Sequence, residues 1–298
     1  MHEPSGKSAA ALRAPTREKA LLQGRLVLLA EDNEINQRVI LQQLALLGFA
    51  ADVAGNGMDA LVRWRSGDYA LLLTDLHMPK MDGYELTTTI RAEEQGTGRR
   101  IPIVALTANA LKGEALHCLE LGMDGYLSKP TPLADFKAML EKWLPTPTDP
   151  DGPIESGKTP EAAVAAVAPA AASTLDQVRA DPPEDAMTTT SVDVNVLKAL
   201  VGDDPAILNE FLHDFSVSAQ AIAAELLAAC AAGDAAQVGA LAHKLKSSAR
   251  SVGALALGEL CAELEAAGKA AQTRVLPALA QRFADELAAV QTCLAALR

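Results

Sequence analysis

Aromatic residues, paired cysteines and positive charge are all scarce in this chain, and each scarcity excludes a class of protein. Aromatic side chains make up only 3% of the 298 residues, so the apolar cores must be built from Leu, Val, Ile and Ala. The formal net charge is −12, which disfavours binding to nucleic acid and to anionic membrane surfaces. The four cysteines form no CxxC pair, so we expect small buried hydrophobic residues in a reducing compartment.

Long apolar runs are lacking as well. The sequence has no uninterrupted run of about 18 apolar residues, the length that a transmembrane helix needs, so we expect no membrane span. The first residues lack the apolar core of a signal peptide. These observations predict a cytoplasmic protein, and a chain of 298 residues is about the right length for two domains.

Residues 24–144 alternate short apolar runs with helix-length amphipathic segments. Near-continuous apolar runs are typical of strands that are buried on both faces of a parallel sheet. Five strands alternating with five helices predict a doubly wound, flavodoxin-like α/β domain. The five predicted strands lie at residues 26–30, 51–54, 71–74, 101–106 and 126–127.

The rest of the chain divides into three parts. Residues 1–23 predict an irregular lead-in, and residues 145–190 hold eight of the 16 prolines and predict a flexible linker. From residue 191 to residue 298 only helical periodicity remains, with glycines between the helices. This last part predicts an all-α four-helix bundle rich in Leu and Ala. Its helices are predicted at residues 193–200, 205–229, 234–251, 254–267 and 271–297.

Polar residues collect where the predicted strands of the α/β domain end. In a doubly wound sheet, functional groups gather at the carboxyl ends of the strands. Three adjacent carboxylates raise one another's pKa unless a cation lies between them, and oxygen ligands suit Mg²⁺. A bound metal would let a carboxylate attack a phosphoryl group, with Lys129 and Thr107 contacting the phosphate oxygens. The residues concerned are Glu31, Asp32, Asp75, Thr107 and Lys129.

This segment resembles a response regulator receiver domain over its whole length. The matching motifs, in order, are Glu31-Asp32-Asn33, Asp75-Leu76-His77-Met78-Pro79, Met81-Asp82-Gly83, Thr107-Ala108 and Lys129-Pro130. The resemblance implies that Asp75 is the phosphoacceptor and that Thr107 and Lys129 contact the phosphoryl group. It further implies a Mg²⁺ site formed by Asp32, Asp75 and the backbone carbonyl of His77, with Glu31 assisting. Tyr126 stands where such domains carry a switch aromatic, and an ordinary packing role for it stays open. The resemblance also implies a cis peptide bond between Lys129 and Pro130.

His243 lies on the polar side of a predicted helix. Its direction is roughly 140° from the apolar stripe at 3.6 residues per turn, so we expect its side chain to face solvent. Gly239 and Ser247, one turn away on each side, are small and would leave the imidazole open to a partner. Lys246 and Arg250 would supply positive charge for a phosphoryl group.

The sequence around His243 resembles the His-x-Leu-Lys-Gly core of histidine phosphotransfer (HPt) domains. Here it reads His243-Lys244-Leu245-Lys246-Ser247, so a serine replaces the usual glycine. Residues 191–298 also fit that family of four-helix bundles. The resemblance implies that an imidazole nitrogen of His243 carries the phosphoryl group and exchanges it with a receiver.

Together the two resemblances imply a two-component phosphorelay protein. The chain has no glycine-rich boxes of an ATP-binding kinase domain, so we expect it to pass phosphoryl groups between an upstream histidine kinase and a downstream receiver. It resembles the C-terminal part of a hybrid sensor histidine kinase, either as a fragment or as a separate relay protein. A second hypothesis is a phosphatase with an aspartate nucleophile. That class needs a second Asp two residues after the nucleophile, and this chain has His77 there. A third hypothesis is a binding module whose bundle serves only for docking.

Overall fold

The first domain is built on one five-stranded parallel sheet, as the sequence predicts. The protein is described here by a computed structural model, which covers residues 14–108, 112–144 and 191–297. The strands run in the order β2-β1-β3-β4-β5, and all four neighbouring pairs are parallel. They are β1 (Val27–Ala30), β2 (Ala51–Ala54), β3 (Leu71–Asp75), β4 (Ile103–Thr107) and β5 (Gly125–Ser128). The central strand, β3, ends at Asp75.

Helices cover both faces of the sheet. The helices of this domain are α1 (Arg17–Leu22), α2 (Glu34–Leu46), α3 (Gly57–Trp64), α4 (Gly83–Glu94), α5 (Lys112–Glu120) and α6 (Leu133–Trp143). One core contains apolar side chains of α2 and α6, and the other contains those of α3, α4 and α5. Because β1, β3 and β4 are buried on both faces, functional groups are expected at the polar carboxyl ends of these strands.

The prediction that residues 1–23 are irregular is wrong for the part of this segment that the structure describes. Residues Arg17–Leu22 form α1, and the Thr16 hydroxyl caps it by accepting a hydrogen bond from the backbone N–H of Lys19. Arg17 forms ion pairs with Asp52 and Asp68, and Ala20 is buried. Since a six-residue helix is marginal alone, these tertiary contacts hold it in place.

The second domain is a helical bundle. It consists of α7 (Val194–Val201), α8 (Pro205–Ala232), α9 (Ala235–Ser251), α10 (Leu255–Lys269), a 3-10 turn (Thr273–Val275) and α11 (Leu276–Ala296). Helices α8 to α11 surround a common core in which Phe215 and Phe283 are fully buried. Asp234 caps α9, and Gly233, at φ 71°, ends α8 in the left-handed conformation that glycine tolerates. The predicted helical bundle is confirmed.

Helix α8 is long and apolar enough to cross a membrane by length and composition alone. Phe211, Phe215, Ala219, Leu226 and further side chains of one face are buried in the core of the bundle. A core helix of a globular domain has the same composition. The expectation of no membrane span stays a prediction.

The predicted linker, residues 145–190, lies outside the described residues, so its predicted flexibility is untested. In the described residues, the last helix of the first domain ends at Trp143 and the first helix of the second begins at Val194, and the domain boundaries stay a prediction.

Candidate functional site

Three carboxylates meet at the carboxyl edge of the sheet. Glu31, Asp32 and Asp75 each offer an oxygen, and these atoms all lie within 4.8 Å of one another. Burial and the nearby Asp75 raise the pKa of Asp32, and burial is also the main reason why the pKa of Glu31 rises to about 7. The donor set, which is all oxygen and strongly acidic, fits a hard divalent cation such as Mg²⁺.

Asp75 is held by both of its carboxylate oxygens. Oδ1 accepts hydrogen bonds from the backbone N–H of Leu76 at 2.6 Å and of His77 at 3.4 Å. Oδ2 accepts one from Nζ of Lys129 at 2.7 Å. Burial disfavours the ammonium charge of Lys129, but Asp75 and Glu31 outweigh it and raise the pKa of this lysine, so Lys129 is a fixed cation beside Asp75. The Lys129-Pro130 peptide is cis.

Glu31, which the sequence predicts to assist a metal, also contacts Lys129. Its side chain is fully buried, and Oε2 accepts a 2.7 Å hydrogen bond from Lys129. Oε1 accepts hydrogen bonds from the backbone N–H of Asn33 and from Nδ2 of Asn36. Both oxygens of Glu31 thus have hydrogen-bond partners, and its role in assisting a metal stays a prediction.

The loop from Met81 to Gly83 brings α4 against the phosphoacceptor strand. A Cβ atom at Gly83 would collide with the backbone oxygen of Asp75. Glycine at this position therefore lets the start of α4 lie directly against the end of β3. Asp82 caps the same helix, since its Oδ1 accepts a hydrogen bond from the backbone N–H of Glu85.

Thr107 lies at the end of β4, next to β3, as predicted. Its hydroxyl donates a 3.0 Å hydrogen bond to Oε2 of Glu114 on α5. Oε1 of the same carboxylate accepts a hydrogen bond from the hydroxyl of Tyr84. Tyr126 on β5 is exposed, and its role as a switch stays a prediction.

His243 is less exposed than the sequence predicts. The expectation of a solvent-facing side chain is wrong, because the imidazole is only 19% exposed. Its Nδ1 lies 2.9 Å from Oε1 of Glu265 on α10. The ring also packs edge to face against His77 of the first domain, with centroids 5.0 Å apart.

Other residues predicted on the open side of α9 are covered as well. Lys246 and Ser247 are buried, since α9 packs against α10 and also against α2. Nζ of Lys246 donates a 2.6 Å hydrogen bond to Oε2 of Glu265. Gly239 does not keep the imidazole open; it lies against Gly268 and lets α9 and α10 approach closely.

Glu265 is the centre of a cationic cluster. Burial alone would raise its pKa, but hydrogen bonds with His243, Lys246 and Lys269 outweigh burial and hold the pKa well below its ordinary value. Lys269 reaches Oε1 at 2.7 Å. Glu265 is therefore a fixed carboxylate beside Nδ1 of the histidine.

The two candidate sites open into one cleft. This cavity has a volume of about 720 Å³ and is lined by Asp32 and His77 of the first domain and by His243, Lys244 and Lys269 of the second, among others. Nδ2 of Asn33 donates a 2.7 Å hydrogen bond to the backbone oxygen of Lys244. Burial and the adjacent His243 lower the pKa of His77.

The sequence reasoning missed several of these residues. Glu265 carried a usable signal: it follows Leu257 and Cys261 at intervals of four, so an acid falls on the apolar stripe of α10. The amide of Asn33 carried no such signal, because its partner in the bundle is 211 residues away, and the carboxylate of Glu114 carried none, because it lies on a helix whose orientation toward Thr107 and Tyr84 depends on the fold.

Two families match the chain. The response regulator receiver domain matches residues 27–141, and the Hpt domain matches residues 210–293. The first match contains the predicted residues Glu31, Asp32, Asp75, Thr107 and Lys129, and the second contains His243.

Curated proteins are similar to part or nearly all of the chain. A hybrid signal transduction protein, dokA of Dictyostelium discoideum, is 44% identical over 41% of this chain, and the match covers 7% of dokA. The virulence sensor protein BvgS of Bordetella pertussis is 29% identical over 97% of this chain, and the match covers 22% of BvgS. The chain thus spans less than a quarter of the length of either relative.

A solved structure is also similar to the first domain. The receiver domain of a sensor histidine kinase from Pseudomonas aeruginosa, with a magnesium ion in its active site cleft, has 42% sequence identity and a TM-score of 0.37. The match covers 40% of this chain and 97% of that one. From the family matches, the chain joins a response regulator receiver domain to an Hpt domain, the two modules of two-component phosphorelay signalling.

Proposed function

We propose that Asp75 accepts a phosphoryl group in a Mg²⁺-dependent reaction and exchanges it with His243 of the same chain. The observation that carries this proposal is the shared cleft, in which the ring of His243 lies 5.0 Å from that of His77, two residues after Asp75. Proximity of two reacting groups within one molecule is a large part of the rate of group transfer.

Asp32 and Asp75 are the proposed ligands of Mg²⁺, together with the backbone carbonyl of His77. The three carboxylates within 4.8 Å support this assignment, and the raised pKa of Asp32 indicates negative charge that a cation would neutralise. Bound Mg²⁺ would reduce the repulsion between an incoming phosphoryl group and these carboxylates.

Acceptance begins with attack by a carboxylate oxygen of Asp75 on phosphorus. A bond forms between that oxygen and phosphorus, and the bond to the donor breaks, with the electron pair leaving on the donor atom. Lys129, now 2.7 Å from Oδ2, is the cation that we assign to a phosphate oxygen. The hydroxyl of Thr107, which now donates a hydrogen bond to Glu114, would donate it to another phosphate oxygen instead.

Transfer to the bundle uses the nitrogen of His243 that does not face Glu265. A hydrogen bond from Nδ1–H to Oε1 of Glu265 fixes the tautomer in which Nε2 carries the lone pair. Nε2 attacks phosphorus, the bond to the oxygen of Asp75 breaks, and the aspartate leaves as a carboxylate. Glu265 then stabilises the positive charge that the phosphorylated ring gains. The proposed role of Lys246 is to keep Glu265 ionised and fixed.

We also propose which proteins exchange phosphoryl groups with this chain and where in the cell it acts. A histidine kinase would supply the phosphoryl group to Asp75, and a separate receiver would take it from His243. The negative net charge supports the expectation that nucleic acid is not a partner. The four free cysteines, three of them buried, support a reducing cytoplasmic location. The similarity to long sensor proteins supports a place within a hybrid sensor histidine kinase.

The test is incubation with acetyl phosphate and Mg²⁺, followed by mapping of the labelled residues. We expect label on Asp75 and His243 in the wild type, no label on either in Asp75→Asn, and label on Asp75 alone in His243→Gln. Matched controls are Asp135→Asn and His213→Gln, which change exposed residues of the same types and should label as the wild type does. Label on Asp75 but never on His243 would make the bundle a docking module for this receiver. Acid-labile phosphate that persists on the receiver of Asp75→Asn would refute the acceptor assignment.

A further inference from the structure

Beside the reacting groups, α2 of the receiver contacts α8 of the bundle through one arginine. Nη2 of Arg38 lies 2.9 Å from Oε1 of Glu210, and its Nη1 is ion-paired with Oδ2 of Asp214. The guanidinium also lies over the ring of Phe211, 4.9 Å from the centroid. One cation on the receiver thus contacts two acids and an aromatic ring on successive turns of a single bundle helix.

An apolar contact accompanies this ionic one. Val39, the next residue of α2, is buried and belongs to the same core cluster as the apolar side chains of the bundle. Burial of apolar surface stabilises docking but discriminates poorly between partners, because it is not directional. Charge complementarity does discriminate, since an acid facing Glu210 and Asp214 would be repelled.

We propose that Arg38, together with Glu210 and Asp214, determines which receiver domains this bundle accepts. The inference rests on the proposed function for its consequence, which is selective phosphoryl transfer. A receiver that exchanges a phosphoryl group with His243 must present a cation at the place of Arg38. A separate receiver that takes the group from His243 must therefore carry the same charge, and it competes with the chain's own receiver for one acidic surface.

The first test reverses the charges in the chain that contains both domains. In Arg38→Glu, we expect label to pass from Asp75 to His243 about tenfold more slowly, because three acids then face one another. Labelling of Asp75 by acetyl phosphate should be unchanged, since Arg38 lies outside the cluster of Glu31, Asp32 and Asp75. Combining Arg38→Glu with Glu210→Arg and Asp214→Arg should restore the transfer rate. Arg63→Glu, the same charge change at an exposed residue of α3, is the matched control and should transfer at the wild-type rate.

A second measurement does not depend on phosphoryl chemistry. Small-angle X-ray scattering of the unphosphorylated chain should give a larger radius of gyration for Arg38→Glu than for the wild type, and the reversed triple variant should return to the wild-type value. If the wild type never labels His243, the proposed function fails, and the scattering result alone decides the docking proposal. Two results would overturn the specificity role of Arg38. The first is an Arg38→Glu chain with the radius of gyration and the transfer rate of the wild type. The second is a triple variant whose reversed charges do not restore the transfer rate.

Discussion

At the scale of single residues, Glu265 links the fold of the bundle to its chemistry. It accepts hydrogen bonds from Nδ1 of His243 and from two lysines. In Glu265→Gln, the amide can no longer offer a charged acceptor to Nδ1, so the tautomer with the lone pair on Nε2 loses its preference. Loss of one such oriented charge typically lowers a rate by about tenfold to a hundredfold. We expect that decrease in the rate of His243 labelling.

The accompanying control separates this positioning role from a general loss of folding. Labelling of Asp75 in Glu265→Gln should match the wild type, and Glu265→Asp should recover part of the transfer rate because it restores the carboxylate. Transfer at the wild-type rate in Glu265→Gln would contradict the orientation of His243 by this residue.

The depressed pKa of Glu265 also predicts a dependence of stability on pH. A carboxyl group whose pKa is lower in the folded state stabilises the fold above its unfolded pKa of about 4.3, and this contribution is lost as the pH falls through the folded value. We expect Glu265→Gln to lower the free energy of unfolding by about 2 kcal/mol at pH 7, since Lys246 is left buried without a charged partner.

Urea unfolding of the two proteins between pH 7 and pH 3 measures this difference. The free-energy difference between wild type and Glu265→Gln should be constant from pH 7 to about pH 5.5 and should shrink below the unfolded pKa of about 4.3. A difference that grows as the pH falls has the wrong sign for a carboxyl group with a lowered pKa.

Among the single residues, the sequence predicted which side chains meet at the strand ends better than it predicted their hydrogen-bond partners. Asp75, Lys129 and the other strand-end residues could be identified because each follows a buried strand, and parallel strands bring their ends together. The side-chain contacts of Glu31 and Thr107 could not, since they depend on how the following helices and Lys129, which is 98 residues from Glu31, lie in the fold. His243 was predicted from its helix alone, which does not reveal that His77 and Glu265 cover it.

At the scale of elements, close contact between α9 and α10 depends on glycine. A Cβ at Gly268 would lie 2.6 Å from the backbone oxygen of Ala235 and from Cα of Gly239. Since both are backbone atoms, the helices must separate, and we expect Gly268→Ala to lower the free energy of unfolding by about 1–3 kcal/mol. Chemical denaturation of the full chain measures the change.

The facing glycine supplies the control. A Cβ at Gly239 would meet Gly268 at 3.5 Å, an ordinary van der Waals contact, and alanine is the better helix former by about 1 kcal/mol. Gly239→Ala should therefore be neutral or stabilising. Equal destabilisation by both substitutions would show that the two helices are not packed at Gly268.

The elements that the sequence predicted correctly have strong local signals. Five strands and the bundle helices follow from apolar runs, helical periodicity and glycine boundaries, and the observed bundle helices begin within a few residues of their predicted starts. Helix α1 was missed because it has only six residues and depends on ion pairs between Arg17 and two distant acids. A local pattern does not contain that information.

At the scale of the whole molecule, the sequence predicted two domains but not their contact. Docking requires α2 to meet α8 and α9, and the bond from Asn33 to Lys244 spans 211 residues of sequence. Neither Arg38 nor Val39 differs from an ordinary helix residue when its own segment is read alone. Glu210 and Asp214 on α8 can be recognised as a docking surface only because Arg38 of the other domain contacts them.

Docking within one chain predicts that phosphoryl transfer does not depend on protein concentration. The two domains are parts of one polypeptide, and a tether of this kind gives an effective concentration up to about the millimolar range. In the wild type, the rate of label passing from Asp75 to His243 should be the same at all dilutions. In a mixture of His243→Gln and Asp75→Asn chains, label must cross between molecules, so the rate should rise with concentration and be about a hundredfold lower at ~10 μM. Equal rates in the mixture and in the wild type would mean that transfer takes place between chains, and the docked arrangement would then hold the two sites together without being the route that the phosphoryl group takes.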